Sequence, residues 1–444
     1  KSRMYPLYFP TRYYPAISGG DLFIMRLAKV TGGYYKESFV ILTSDAIDFA
    51  GLRSKGTNLA PGQKYFSEVN GIPIIRLVCE HIKPSLDAPD SDHENQFNQF
   101  IYALDFHRCS LSESTLRYFF NNGPVFHLEH GSLLEEISKR LQSLGNFSVS
   151  SLTYIFCSYL PYTNLLYSLS IAEHLKIPSF CTPFLHPENP RYEYDSIYEV
   201  LDCFDGIHAC TDFEKQLMID HGINSRKIEV VSMGVDFDKF RCEDAQILRF
   251  LNKYKIQMPY VIFSGNKNYE KGALSLLKAL RILFENGVDI GAVLIGPTTK
   301  AFNAEWKKLL IDFPTKALVN LTPANMMGYF DHKKIAAFNG ALCYCMVSRS
   351  EAYGIAYLES WACKIPVIAA DIPAMREIIR DGTDGFLVPF DNCSEIAEKI
   401  SFFINHPEKT KEMGIEGYKK IINKNLWLNV SNQIRKFVER IIDG

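Results

Sequence analysis

Among the 444 residues there is no CxxC pair, no marked excess of charge of either sign, and no internal repeat or low-complexity tract. A formal net charge of −2 gives no reason to expect a nucleic-acid partner, whose phosphates call for a basic surface. The eleven cysteines are dispersed from Cys79 to Cys393 without paired spacing. They read as reduced thiols serving as small apolar residues, which implies a cytoplasmic protein. Cys343 and Cys345 would share one face of a strand. The opening run KSRMYPLYFPTRYY lacks a continuous apolar stretch and is not expected to be a secretory signal, although a leader or initiator can precede Lys1. Leu141–Ala172 carries no charge and is long enough for a membrane span. Pro161, Asn164 and several serines interrupt it, so a strand at Leu152–Cys157, a loop and a helix account for it better.

What is present is an alternation of short apolar runs with helical stretches, the sequence form of βα units on parallel sheets. The expected class is α/β with two Rossmann-like domains. In the first half, strands are expected near Met4–Phe9, Phe39–Thr43, Ile72–Val78, Val125–Leu128, Leu152–Cys157, Ser179–Thr182, Gly206–Ala209 and Ile228–Ser232. Asp45–Gly71 is polar and glycine-rich and reads as a long loop. The pattern restarts with strands at Tyr260–Ser264, Ala292–Ile295, Leu318–Leu321, Ala341–Cys345 and Pro366–Ala369. Domains are therefore expected at 1–235 and 259–425, joined by a linker at 236–258 and followed by a terminal helix in 426–444. That helix carries Val430, Ile434, Phe437 and Ile441 at helical period.

Ser348–Glu359, SRSEAYGIAYLE, is the most informative segment. An apolar strand ends at Val347, a short loop carries Glu351, and a helix begins near Gly354. Free N–H groups at Tyr353, Gly354 and Ile355, with the helix dipole, suit a diphosphate. A carboxylate accepts two hydrogen bonds from a vicinal diol, so Glu359 suits a ribose and Glu351 a donor sugar. Both lie at the carboxyl edge of a parallel sheet, where open α/β folds bind ligands.

The run continues as SWACKIPVIAADIPAMREIIRDGTDGFLVPFDN. As a whole, Ser348–Asn392 resembles the group 1 retaining glycosyltransferases (family 4, GT-B fold), whose donor site contains Glu-x7-Glu. FSGNKNYEKGALSLLKAL (Phe263–Leu280) is similar to the family's strand, loop and helix in which a basic pair holds the donor phosphates. Lys271 matches the lysine of that pair. The arginine usual after Gly265 is Asn266 here, with Lys267 beside it. Either Lys267 supplies the second charge, or the diphosphate is held with one cation fewer. SGGDLFIMRLA (Ser18–Ala28) resembles the family's glycine-rich loop, in which Gly19 and Gly20 would let backbone approach the donor phosphate or the acceptor; Gly32-Gly33 is a decoy. IPSFCTPFLHPENPRYEYD fits the segment that supplies a catalytic histidine, either in the register of His186 or in one that puts Phe184 in the histidine slot.

The resemblance implies an N-terminal acceptor domain and a C-terminal donor domain closing over the donor, with the terminal helix returning to the first domain. Glu351, Lys271 and His186 would be catalytic. Glu359, Gly354, Ile355, Tyr353, Lys267, Asn266, Gly265, Gly19 and Gly20 would bind the donor. The donor is a nucleoside-diphosphate sugar, a substrate and not a cofactor; the acceptor is a hydroxyl of a glycan or lipid-linked molecule. No metal is expected, and Asp236-Phe237-Asp238, which mimics a metal-binding Asp-x-Asp, is assigned to the linker. Tyr159, Tyr162 and His130 are candidate acceptor contacts. The basic-aromatic run Arg3, Tyr5, Tyr8, Phe9, Arg12, Tyr13, Tyr14 raises peripheral membrane contact. Two other classes remain: a silent sugar-nucleotide-binding subunit, and an epimerase or phosphorolytic enzyme on the same scaffold.

Overall fold

The computed structural model describes residues 4–16, 18–52, 58–59, 66–69, 72–81, 91–106, 110–143, 148–187, 189–192 and 194–444. These separate into two units, one of residues 1–185, 190–231 and 431–444, the other of 186–189 and 232–430.

In the first unit the apolar runs form β1 (Pro6–Pro10), β2 (Val40–Ser44), β3 (Phe66–Val69), β4 (Ile72–Glu80), β5 (Val125–His127), β6 (Tyr154–Ser158), β7 (Ser179–Thr182), β8 (Gly206–Ala209) and β9 (Ile228–Val230). Their order is β3-β4-β2-β1-β6-β7-β8-β9, with β5 also on β4. Strands β1, β2, β4 and β6 to β9 run parallel, and every residue of β1, β2, β6, β7 and β8 is buried. Such strands read as unbroken apolar runs because helices cover both faces. The long loop expected at Asp45–Gly71 is corrected: it contains β3, antiparallel to β4. Only two residues separate Val69 from Ile72, which permits an antiparallel neighbour and no crossover. β5, expected as one more parallel strand, is likewise antiparallel to β4.

The core of this unit absorbs residues that could have been read as functional. His208 on β8 is fully buried, Nδ1 facing the Thr182 hydroxyl at 2.9 Å and Nε2 facing the Val231 carbonyl at 2.6 Å. Burial lowers its pKa to about 4, so the ring is neutral. Tyr8, Phe9, Arg12 and Tyr13 are also buried, and Arg12 pairs with Asp21 at 2.7 Å. These side chains are therefore not available to a membrane surface. The charge-free stretch 141–172 holds β6 and the first nine residues of the helix Asn164–Leu175, and no helix among the described residues is long and apolar enough to cross a membrane.

The second unit carries β10 (Tyr260–Ser264), β11 (Gly291–Ile295), β12 (Leu318–Leu321), β13 (Cys343–Met346), β14 (Val367–Ala370) and β15 (Gly385–Val388). All are parallel, in the order β12-β11-β10-β13-β14-β15. The strand order reverses between β10 and β13, the position at whose carboxyl edge open α/β sheets bind their ligands. Residues 236–258, expected as a linker, are a built part of this unit. They form a 3-10 turn at Phe237–Phe240 and a helix at Asp244–Lys253. Phe240 packs edge-on against Phe338 at 5.7 Å, and Phe250 and Ile256 are buried.

The terminal helix spans Trp427–Asp443 and begins among residues of the second unit, while residues 431–444 belong to the first. Its apolar stripe buries Val430, Ile434, Phe437 and Val438. Within the first unit, Phe437 meets Phe180 at 5.7 Å above Gly206, where a Cβ would lie 2.8 Å from the Phe437 ring. Arg435 holds both Glu37 oxygens, at 2.6 and 2.9 Å.

Candidate active site

The two loops at the reversal of the second sheet are Gly265–Gly272, after β10, and Val347–Gly354, after β13. Gly272 has φ +76°, and a Cβ there would lie 2.3 Å from the Val347 carbonyl oxygen. The loops thus touch backbone to backbone, and the Arg349 N–H donates to the Glu270 carbonyl at 2.8 Å. Lys271 is delivered by this contact. Its Nζ donates to Glu351 Oε1 at 2.6 Å, and Ser348 Oγ donates to the same oxygen at 2.8 Å.

Glu351 is buried. Burial alone would raise its pKa; the charges of Lys271 and then His186, with hydrogen bonds from Lys271 and Ser348, outweigh that and leave it below the ordinary carboxylate range. His186 groups with this unit, so Lys271, Glu351 and His186 are brought into one electrostatic neighbourhood. Gly354 caps the helix Ile355–Ala362 with φ +81°, where a Cβ would lie 2.5 Å from the Tyr357 ring. The first N–H groups of such a helix have no intrahelical acceptor and favour an anion. Tyr353 is buried, its hydroxyl accepting from Asn425 Nδ2 at 3.1 Å. Glu359, further along the helix, accepts from the Tyr329 hydroxyl at 2.5 Å and pairs with Lys334 at 3.0 Å.

Lys267 is placed elsewhere. It is fully buried, its ammonium donating to Asn320 Oδ1 and, at 2.8 Å, to the Leu321 carbonyl. It braces the end of β12 and is not directed with Lys271. Asn266 is exposed, and the Gly265 N–H is used by the Ile295 carbonyl at 2.9 Å. Burial lowers the Lys267 pKa to about 7. Between pH 7 and ordinary lysine titration near pH ~10.4 the unfolded chain therefore binds the extra proton, so this group's contribution to stability rises with pH in that window. Lys267→Met should narrow its melting-temperature deficit, or widen its advantage, as pH falls from 9 to 7, measured by paired thermal melts. A gap that stays constant over that range would contradict a depressed Lys267.

The remaining candidates lie in the first unit. Gly19 and Gly20 open the helix Gly19–Gly33, and a Cβ on Gly20 would sit 2.7 Å from the Tyr159 ring. Phe184 is buried at φ +52°, packed on Tyr159 at 5.3 Å. Phe184 and His186 thus fall in different units. Tyr162 is buried, stacked on Phe49 at 5.9 Å. His130 Nδ1 lies 2.7 Å from the buried Glu136, which also receives Arg140, so both have structural employment. In the Asp-x-Asp mimic, Asp236 accepts from Trp427 Nε1 at 3.2 Å and Asp238 pairs with Arg241 at 3.1 Å. Sequence reasoning assigned no role to Gly272, Ser348, Tyr329 or Lys334; Gly272 and Ser348 lie inside the quoted motifs, whereas Tyr329 and Lys334 carried no local signal.

Residues 246–420, which contain both loops, match the family model described as Glycosyl transferases group 1. Over this segment the chain is similar to the group 1 glycosyl transferases. An uncharacterized glycosyltransferase of Methanocaldococcus jannaschii is 30% identical over 183 residues, 41% of this chain and 48% of the relative. A D-inositol 3-phosphate glycosyltransferase of Kribbella flavida is 25% identical over 228 residues, 49% of this chain and 52% of the relative. The chain thus spans about half the length of these curated relatives. The crystal structure of Anabaena HepE in complex with UDP-glucose superposes with a TM-score of 0.69 at 13% identity, covering 99% of this chain and 100% of that one. The segment similar to the group 1 glycosyl transferases is therefore carried in a GT-B fold, as its motifs imply.

Proposed function

We propose that the chain is a retaining glycosyltransferase that moves a sugar from a nucleoside-diphosphate sugar to a hydroxyl of a glycan, lipid-linked or other acceptor. The observation that carries this reading is the Lys271–Glu351 pair at the β10–β13 reversal, 2.6 Å apart and beside a glycine-capped helix N-terminus. The binding of UDP-glucose by a protein of like fold supports a uridine donor.

Lys271 and the helix N–H groups stabilise the charge that develops on the departing diphosphate, in a site that needs no reorganisation as the reaction proceeds. Glu351 orients the donor sugar, and Glu359 takes the ribose diol. The anomeric carbon–phosphate oxygen bond breaks, the acceptor oxygen bonds to that carbon on the same face, and the acceptor proton passes to the leaving phosphate. No step requires a metal. With Lys267 directed to Asn320, the diphosphate is held with one side-chain cation fewer than in the family pattern. That placement also favours a second reading, a donor-binding subunit without transferase activity.

The test is a thermal-shift screen against nucleoside diphosphates and their sugars, without added metal, on the protein and on Lys271→Ala and Glu359→Ala. A ligand at 100 times its Kd stabilises by about 2.7 kcal/mol. One nucleotide class should raise the melting temperature, and both substitutions should abolish the rise. Absence of any shift would sink the donor-site reading; a shift without transfer or slow donor hydrolysis would select the silent subunit.

A further inference from the structure

Lys334 has no part in the reaction as described, yet it is among the most deeply buried charges of the second unit. It projects from the helix His332–Asn339 to Glu359 on the helix Ile355–Ala362, and the two side chains are 4% and 2% exposed. Its ammonium lies 3.6 Å from the centroid of the Tyr329 ring, 5.7 Å from that of Phe240 and 5.9 Å from that of Phe338. Tyr329 in turn gives its hydroxyl to Glu359 Oε1 at 2.5 Å. The carboxylate is gripped from two sides by groups 25 and 30 residues away in sequence.

Stability does not account for a lysine here. Buried ion pairs can be replaced by apolar residues of similar volume at little cost or with a gain. The rings of Tyr329, Phe240 and Phe338 around the ammonium are surfaces that a leucine or methionine also packs against. What the ammonium does supply is charge. A buried carboxylate needs a cation or hydrogen-bond donors beside it, and Lys334 fixes one side of this one. An ionised carboxylate accepts at both oxygens, which is what a vicinal diol requires.

We infer that Lys334 is a positioning residue that holds the Glu359 carboxylate aimed for the ribose diol of the donor, with the Tyr329 hydroxyl standing where a ribose hydroxyl binds. This rests on the donor-site reading given above. When the ligand arrives, one ribose hydroxyl takes over the bond at Oε1 from Tyr329, and the other bonds Oε2 beside Lys334, which keeps its place there. The exchange explains how a carboxylate so deeply buried serves a ligand at all. Tyr329 lies on the segment that includes Met327, 86% exposed, and Gly328, at φ +82°.

The experiment compares UDP with 2′,3′-dideoxy-UDP by calorimetry on the unaltered protein, on Lys334→Met and on Lys334→Gln, the last retaining a polar partner for Glu359 should the methionine variant fold poorly. Two lost hydrogen bonds correspond to about tenfold or more in affinity. The unaltered protein should prefer UDP by that factor. In the variants dideoxy-UDP should bind as before and the preference should vanish. A purely structural Lys334 would weaken both ligands equally or neither, and a preference retained in a folded variant overturns the inference while leaving the donor site intact. If the unaltered protein shows no preference, Glu359 does not meet a ribose, and the donor-site reading fails together with the inference.

Discussion

Lys271→Ala is expected to lower the rate of sugar transfer by about 10²–10³-fold, the usual cost of removing one preorganised charge or donor from a transition-state site. The geometry makes the loss specific. Lys271 is the cation that the structure sets on Glu351, and Lys267, four residues earlier, is spent on Asn320 and the Leu321 carbonyl. No flexible lysine beside it can substitute. The cost to stability should be smaller than the ~3–5 kcal/mol of breaking a fully buried pair, because the Lys271 side chain is 24% exposed. The carboxyl left behind must then respond. Glu351 lies below the ordinary carboxylate range with Lys271 present, so its stabilising contribution exists above normal carboxylate titration and is lost as pH falls through its folded value. Without Lys271, burial becomes the larger influence and Glu351 titrates upward. Residual transfer should therefore decline on the acid side sooner than in the parent, and Glu351→Gln should remove that difference. The measurement is kcat against pH for the three proteins, with circular dichroism to confirm folding. Unchanged kcat in a folded Lys271→Ala would remove Lys271 from the chemistry and with it the central argument for transfer.

How much of this was legible depends on how local the determinant is. Ser348–Glu359 could be read directly because strand end, loop, glycine cap and helix follow one another within twelve residues, and helical geometry then fixes where Glu359 lies. The apolar runs of β10 and β11 were equally plain, since strands buried on both faces need no periodicity to be seen. Direction within an irregular loop was not legible. Nothing in GNKNYEK says that Lys267 points toward β12 and Lys271 toward β13, because no repeating backbone angle relates the two. Partnership across the fold was also hidden: Lys334 and Glu359 are 25 residues apart, on helices whose facing sides only tertiary packing decides. The helix Asp244–Lys253 could be recognised as a short charged helix, yet its ownership by the second unit rests on Phe240 and Phe250 finding partners there. The hairpin of β3 and β4 did have a signal, Asn70-Gly71 between two extended runs. It was masked by the polar composition around it.

Gly272→Ala should be a severely damaging single-atom-scale change at the site, and Gly287→Ala shows why. Both glycines belong to the ends of one helix, Ala273–Glu285, with φ of +76° and +73°. Placing an L side chain in that region costs about 1–2 kcal/mol at either position. At Gly287 a Cβ would meet nothing within 4 Å; at Gly272 it would lie 2.3 Å from the Val347 carbonyl oxygen and 2.7 Å from its carbon. A flexible side chain could turn aside, but main chain cannot, because Val347 follows β13 directly and leads into Ser348 and Glu351. The two loops must separate, and the separation draws Lys271 away from Glu351. In a domain of this size 1 kcal/mol shifts the melting temperature by roughly 2–4 °C. Gly287→Ala should therefore lower it by a few degrees and leave nucleotide binding and transfer intact. Gly272→Ala should lower it by at least twice as much and abolish both. Because the backbone penalty is common to the two variants, the difference between them isolates the close approach of the loops. Equal shifts, or a fully active Gly272→Ala, would mean that the contact with Val347 does not hold the site together.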